Sequence, residues 1–357
     1  MGICRFLYQN SITAASQIAV SSSFYGVVGG IYAEQLGSAT VQNGGLYSAS
    51  EDMGYVVEID SVGAGKEVGQ ATFKWSDDDG QTWNETGVTT SSDPYEMSNG
   101  VTVQFTTGTG DDFELGDKWS WIGKNNYGRQ KLFDLDRDYG YRSRSLDDPN
   151  TITLSFSAAV NMTALAIMDH NLTSAAVITL MANDTDAWGD PAYSQVIPWN
   201  SDKIGYYLDQ TYQYARLQIS DQLNTDGYIE IGELYLGAYL EPDKNYSYDW
   251  DQTTTAQETS AQGRKGYGKK SLDYVQESIK ISFSRLSATD RDSLVTLFRT
   301  IKNASAGTVS PVYFNIDSAD PDNVFLMHMG TTLSRINTFL DRYTVEVELS
   351  EVVKTNV

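Results

Sequence analysis

The residues from which active sites and metal sites are most often built are scarce in this sequence. Among its 357 residues there is one cysteine, Cys4, and there are two histidines, His170 and His328. These three ligands are too few for a zinc cluster of cysteine and histidine. His170 lies in the segment MDHNLTSAA, where no Gly-x-Ser-x-Gly nucleophile elbow accompanies it. We therefore interpret His170 as a hydrogen-bonded turn residue and His328 as a strand residue.

Acidic side chains are abundant, but their spacing selects no active site. Glycoside hydrolysis requires two carboxyl groups at a defined separation, and no such pair stands out. Asp134, Asp136 and Asp138 begin like a calcium loop, but Tyr139 replaces the glycine and Ser145 the glutamate of an EF-hand. We expect these carboxylates to pair with the local arginines, Arg137, Arg142 and Arg144. We predict no enzymatic activity and no cofactor, with calcium in an acidic loop as the alternative.

The net charge limits the classes of partner. With 47 acidic and 25 basic side chains, the formal net charge is -22, which repels nucleic acid and anionic membranes. No stretch that could span a bilayer is free of charged or strongly polar residues. The N-terminus lacks the long apolar region of a signal peptide. We expect a protein made in the cytoplasm, without nucleic acid and without membrane insertion.

One short motif indicates a specific turn. Ser76, Asp78, Gly80, Thr82 and Trp83 fit the pattern Ser-x-Asp-x-Gly-x-Thr-Trp. This pattern resembles the Asp box of sialidases and related propellers, in which the box is structural. The resemblance implies a tight hairpin turn with the tryptophan packed beneath it. A propeller needs repeated copies, and this chain has one, so we predict a structural turn.

Alternating apolar residues predict a mainly β protein, beginning with a small domain. Residues 71–75 and 101–105 alternate between apolar and polar side chains, as half-buried strands do. The turn-rich segment GTGDD at 108–112 follows them. These features predict a self-contained antiparallel β-domain at about residues 50–124.

The next segment has the pattern of a β-sandwich. Residues 152–156 and 215–219 alternate, and residues 164–168 form a continuous apolar run typical of a buried strand. In YIEIGELYLG the apolar phase slips by one residue at Gly232, which predicts a β-bulge. We expect sandwich strands up to residue 240.

The C-terminal third combines a polar segment with a helix and strands. Residues 241–270 have little apolar periodicity and predict a linker or long exposed loop. Four basic residues lie in this segment: Arg264, Lys265, Lys269 and Lys270. We expect them to be solvated, and a patch that binds an acidic partner is the alternative. Ser287 is placed to cap a helix, and residues 343–349 alternate like a strand. We predict an α+β domain over residues 271–357.

Residues 152–240 resemble the discoidin-like, galactose-binding jelly rolls found in phage tail proteins. The segments ITLSFSAAVNMTALAIMDHNLTSAAVITLMAND, YARLQIS and YIEIGELYLG carry the similarity. LYQNSITAASQIAVSSS and GRQKLFDLDRDYGYRSRS resemble the opening segments of that family. The resemblance implies one jelly roll made of residues 1–49 and 125–240, with residues 50–124 inserted.

Residues 274–353 look like the tube-type fold of distal tail and minor tail proteins. The segments LSATDRDSLVTLFR, PVYF and TVEVELSEV carry this similarity. It implies a structural component of a phage tail tip or baseplate, located in the virion, that forms a ring or collar with copies of itself and contacts other tail proteins. We expect the strand Tyr343 to Leu349 to present an unprotected sheet edge for these ring contacts.

A second hypothesis is an adhesin that binds a glycan on the host surface through the jelly roll. Aromatic rings on a concave surface can stack on sugars. The candidate residues are Trp188, Tyr193, Trp199, Tyr206 and Tyr207. The same side chains also suit ordinary packing or a contact between subunits. A glycan-degrading enzyme is the third hypothesis.

Overall fold

The computed structural model describes residues 2–49, 51–262, 268–303, 307 and 309–353. The fold is mainly β, with sandwich-like sheets. The chain divides into two compact units. We call them the main unit, comprising Met1–Ser21, Lys131–Gly140 and Leu146–Val357, and the inserted unit, comprising Ser22–Gln130 and Tyr141–Ser145.

The strands of the described residues are, in chain order, β1 Arg5–Asn10, β2 Ile18–Val20, β3 Val27–Val28, β4 Tyr32–Glu34, β5 Thr40–Gly45, β6 Met53–Ser61, β7 Thr72–Ser76, β8 Glu85–Thr89, β9 Tyr95–Glu96, β10 Val101–Thr106, β11 Lys118–Lys124 and β12 Tyr141–Arg142. They continue as β13 Asn150–Met168, β14 Val177–Asn183, β15 Tyr193–Ile197, β16 Lys203–Ser220, β17 Glu230–Ile231, β18 Glu233–Leu240, β19 Asp251–Gln262, β20 Gly268–Leu286, β21 Val312–Asn315, β22 Val324–Met329, β23 Ser334–Phe339 and β24 Arg342–Glu351. The α-helix of the described residues is α1, Ala288–Ile301, and short 3-10 turns lie at Ala15–Gln17, Ser98–Gly100 and Arg129–Leu132.

The inserted unit consists of two antiparallel sheets around an aromatic core. One sheet has the order β3-β11-β6-β7-β8 with β4 also on β11, and the other has the order β5-β10-β9. Alternation along β11 turns Trp119 and Trp121 inward and Lys118 and Ser120 outward. The inward side chains join residues of the other sheet, such as Phe105, in one buried cluster.

The inserted unit starts earlier in the chain than predicted. The sequence pattern placed its first residue near 50, whereas the structure places it at Ser22. The reason is strand pairing: β3 and β4 pair with β11, and β5 pairs with β10. The predicted jelly roll of residues 1–49 and 125–240 required residues 22–49 to be part of the sandwich. They belong to the inserted unit instead.

The main unit contains one continuous path of paired strands, in the order β15-β14-β16-β13-β18-β1-β21-β22-β24-β20-β19. β13 and β16, of 19 and 18 residues, pair along most of their length, with register shifts between Ser155 and Val160 and between Met162 and Ala164. β1 pairs with β18 on one side and with β21 on the other. Because β1 joins the two groups of strands, residues 271–357 belong to the same compact unit as the sandwich and not to a separate domain.

The predicted linker of residues 241–270 is replaced in part by a strand. Asp251–Gln262 forms β19 and pairs with β20 from Asp251 opposite Lys280 to Gln262 opposite Gly268. Both faces of β19 are exposed, so no apolar alternation marks it. In the basic cluster, the ammonium group of Lys270 pairs with Glu258 at 2.6 Å. Arg264, Lys265 and the side chain of Lys269 lie outside the described residues.

The helix and the last strand follow their sequence patterns, but the predicted free edge does not exist. The Ser287 hydroxyl caps α1 by accepting a hydrogen bond from the Asp290 amide at 3.1 Å. Val345, Val347 and Leu349 are buried as expected. However, β24 pairs with β20 on one side and with β22 and β23 on the other.

Within the described residues, no helix has the length and apolar character needed to cross a membrane.

Candidate functional site

The five aromatic residues of the adhesin hypothesis do not form one platform. Trp188 lies in the loop between β14 and β15, with the Arg216 guanidinium 4.4 Å from its ring centre. Its indole N–H donates to the carboxylate of Asp186. Trp199 is anchored elsewhere, since its N–H donates to the carbonyl of Leu172 at 3.0 Å.

The three tyrosines of that set also lie in different surroundings. Tyr193 and Tyr206 share a side-chain hydrogen bond, and burial raises the pKa of Tyr193 above its usual range. Tyr207 follows Tyr206 in β16 and therefore points to the opposite face of the strand. Its ring and that of Tyr239 lie 3.9 and 4.1 Å from the guanidinium of Arg5. Tyr207 is thus part of an internal cation–π cluster.

The Asp-box turn closes through the carboxylate of Asp78. This group accepts hydrogen bonds from the Ser76 hydroxyl at 2.6 Å and from the Thr82 amide at 2.9 Å. These bonds lower the pKa of Asp78 to about 2. Gly80 adopts a φ of 81°, which glycine allows without strain. The Trp83 ring lies 4.2 Å from the ammonium of Lys74, which stands on β7.

In the acidic loop at residues 134–138, two carboxylates pair with a lysine that the prediction did not include. The ammonium of Lys131 contacts Asp134 at 2.7 Å and Asp136 at 3.1 Å. Of the arginines expected to pair there, Arg137 binds Asp169. The guanidinium groups of Arg142 and Arg144 lie over the rings of Tyr127 and Tyr25. Among the described residues, no three or more acidic, histidine or cysteine side chains are grouped as a metal site.

The histidines are placed as the sequence indicated. The amide of Leu172 donates to Nδ1 of His170 at 3.2 Å in the turn after β13. His328 stands in β22. Burial lowers the pKa of both imidazoles. Neither histidine lies beside a hydroxyl or thiol nucleophile among the hydrogen bonds of the described residues.

A buried polar cluster in the main unit was missed at the sequence level. Glu233 is fully buried, and the hydroxyl of Tyr313 donates to its carboxylate at 3.2 Å. Burial raises the pKa of Glu233 to about 8. Glu233 directly follows Gly232, whose amide donates to the carbonyls of both Met168 and Asp169 at the predicted irregularity. A glutamate inside the apolar run YIEIGELYLG was the available signal.

The main unit has an exposed two-stranded arm, which consists of β19 and residues 268–277 of β20. β20 pairs with β24 only from Ser278 onward. Cross-strand bonds join the arm internally, as between Thr259 and Asp273 at 2.5 Å. Leu272 and Val275 are 61% and 48% exposed on it. Within the described residues, no strand pairs with the outer edge of β19.

Comparisons with known proteins give no family. No protein-family model and no curated protein matches the sequence. Several solved carbohydrate-binding modules are similar to about a third of the chain. One is chitosan-binding module 1 of a chitosanase/glucanase from Paenibacillus sp. IK-5, at 15% identity over 32% of this chain and 88% of that chain, with a TM-score of 0.26.

Two further modules show a likeness of the same extent. CpGH89CBM32-5 from Clostridium perfringens, solved in complex with GalNAc-β-1,3-galactose, is 12% identical over 32% of this chain and 86% of that chain, with a TM-score of 0.26. The fucose binding module SpX-3 from Streptococcus pneumoniae is 13% identical over 33% of this chain and 89% of that chain, with a TM-score of 0.27. At these scores the similarities carry no argument about function.

Proposed function

We propose that this chain is a non-enzymatic structural subunit that assembles with copies of itself through the arm. The arm is the observation that carries the proposal. An isolated two-stranded hairpin is at best marginally stable in water, and the open edge of a strand is a template for pairing with another chain. A projecting arm with exposed Leu272 and Val275 is therefore expected to be covered by a partner.

The sequence resemblance to tail-tip and baseplate proteins supports the type of assembly. In a head-to-tail contact, the arm of one copy reaches a different surface of the next copy, and such contacts close into rings when the rotation permits. The sequence pattern placed the edge for these contacts on β24, and the proposal places it on β19, one of the two strands that end the path. We propose a ring or collar in a virion, with other tail proteins as further partners.

The test is the molar mass of the full chain and of an arm-shortened variant by light scattering after size exclusion. Thr254 and Glu277 are Cα partners at the base of the arm, so residues 255–276, which include Leu272 and Val275, can be replaced by an Asn-Gly hairpin turn. We expect the intact chain to form a multimer and the shortened chain to be monomeric. The control is Val196→Thr, since Val196 is 56% exposed on β15 and lies outside the arm. A monomeric intact chain, or an unchanged multimer after removal of residues 255–276, contradicts the proposal.

Glycan binding by the sandwich is the second candidate function. Trp188 favours it, because the ring is only partly buried and stands beside the charged groups of Arg216 and Asp186. An aromatic ring flanked by hydrogen-bonding groups is the arrangement that holds a sugar. A glycan array probed with the intact chain and with Trp188→Ala tests it. Equal retention of both proteins on every glycan contradicts a site at Trp188.

A further inference from the structure

The outward face of the inserted unit carries a groove that the assembly function does not use. Tyr32, Ser120, Val56 and Ser76 lie in one lateral row across β4, β11, β6 and β7. Directly opposed residues of antiparallel strands point to the same face of a sheet. Along this row are two open depressions of about 190 and 600 Å³, and both are lined by Tyr32, Asp79 and Ser120. Because they share these residues, they form one groove.

The Asp-box turn supplies a carboxylate to this groove. The carboxylate of Asp78 is hydrogen-bonded within the turn. The next residue, Asp79, has a φ of 59° and is exposed. Its amide donates to the carbonyl of Gly54 on β6 at 2.9 Å. A Cβ at Gly54 would be 1.7 Å from Oδ1 of Asp79. The Asp79 carboxylate therefore occupies the space that a side chain at position 54 would fill.

The side chains of the groove remain available to a ligand. Tyr32 is 65% exposed. Within the described residues, no hydrogen bond or ion pair engages the carboxylate of Asp79 or the hydroxyl of Ser120. The charged lining is balanced, with Glu34 and Asp79 against Lys118 and Lys124. This balance stands out in a chain whose net charge is -22.

We propose that this groove binds a neutral oligosaccharide. The exposed ring of Tyr32 offers the apolar face on which a pyranose stacks. Asp79 accepts hydrogen bonds from sugar hydroxyls, and Ser120 both donates and accepts them. An anionic glycan would meet two carboxylates in the groove, and a cationic one would meet two ammonium groups. A neutral, hydroxyl-rich ligand matches both the charge balance and the open shape.

The experiment uses the intact chain on an array of neutral, anionic and cationic oligosaccharides, followed by calorimetry with the neutral glycan that is retained best. Tyr32→Ala is expected to lower the affinity about tenfold, on the scale of one lost aromatic contact. Asp79→Gly removes the carboxylate and keeps the positive φ, and it should also weaken binding. Gly54→Ala should have the same effect, because it displaces Asp79.

Two controls establish whether binding depends on the groove itself. Tyr248→Ala removes a tyrosine that is 99% exposed outside the groove, and it should leave the affinity unchanged. Thermal unfolding of every variant verifies the fold. Absence of binding to any neutral glycan overturns the proposal, as does retention of charged glycans only. The proposal is also overturned if a neutral glycan binds but neither Tyr32→Ala nor Asp79→Gly weakens the binding. If Trp188→Ala abolishes that binding, the sugar site lies on the sandwich. The molar mass measured by light scattering is independent of all these outcomes, so this proposal and the assembly proposal can fail separately.

Discussion

The hydroxyl of Tyr313 donates a hydrogen bond to the carboxyl group of Glu233 at 3.2 Å, and both side chains are buried in the main unit. Burial disfavours the charged form of each group. It raises the pKa of Glu233 to about 8 and the pKa of Tyr313 well above its usual range. The pair is therefore neutral in the folded protein at neutral pH.

Stability should fall as the pH rises from about 4.5 to about 8 because of Glu233. In this window the folded chain keeps a proton that the unfolded chain has released, since the ordinary pKa is 4.5 and the folded pKa is about 8. The free energy of unfolding then decreases with pH, by on the order of a few kcal/mol in total. Glu233→Gln mimics the protonated acid and should remove this dependence. Urea midpoints at pH 5, 6, 7 and 8 measure it.

Tyr313→Phe is the companion variant for that series. The hydrogen bond from Tyr313 stabilises the ionised carboxylate, so its removal should raise the pKa of Glu233 further. The decline in stability should then extend to higher pH. Parallel pH profiles for the wild type and Glu233→Gln would show that Glu233 does not titrate in this range.

Arg137→Met should destabilise the main unit by about 3 kcal/mol, the cost typical of breaking a buried ion pair. Arg137 donates to both oxygens of Asp169, at 2.8 and 2.9 Å, and to the carbonyl of Val352. Its side chain is only 10% exposed. The double variant Arg137→Met/Asp169→Asn should recover part of the loss. The control is the exposed ion pair of Lys280 with Glu348, because Lys280→Met should barely change the urea midpoint. Equal changes of the midpoint in Arg137→Met and Lys280→Met would contradict this prediction.

Asp78→Ala should lower the melting temperature of the inserted unit, because it removes the acceptor that closes the Asp-box turn. The folded pKa of about 2 lies below the ordinary value of 3.8. This stabilisation is therefore present above pH 3.8 and is lost as the pH falls toward 2. Gln81→Ala in the same exposed turn is the matched substitution. If both variants melt alike, the turn does not depend on Asp78.

Removal of divalent cations with a chelator should leave the melting temperature unchanged. Lys131 already compensates Asp134 and Asp136, and a cation would have to displace it. Scanning calorimetry with chelator, and again after calcium is added, gives the answer. A decrease that calcium reverses would establish a calcium site.

Local patterns in the sequence predicted faces and caps, but not neighbours. The alternation around Val345 identified the buried face of β24, and Ser287 identified the start of α1. Which strands lie beside β24 is decided by pairing with residues of other strands, those of β20 on one side and of β22 and β23 on the other. Alternation reports the two faces of a strand and contains no information about its two edges.

The arm and the groove were missed for a related physical reason. The arm is exposed on both faces, so burial imposes no period on the sequence of β19. The groove depends on the register that places Tyr32 opposite Ser120 and on Gly54, which leaves space for Asp79. A single sequence indicates the Asp-box turn but not the strand on which the turn folds.

The position of β1 inside the sheet has a consequence for biosynthesis. Residues 5–10 pair with β18 and with β21, whose last residue is Asn315. A ribosome that adds roughly 5 to 20 residues per second needs on the order of 15 to 60 s to make the intervening chain. Phe6 and Leu7, which end up almost completely buried, gain their first neighbouring strand when β18 has been made and their second only when β21 follows. The inserted unit can fold as it leaves the ribosome, whereas the main unit can be completed only after β21 has been made.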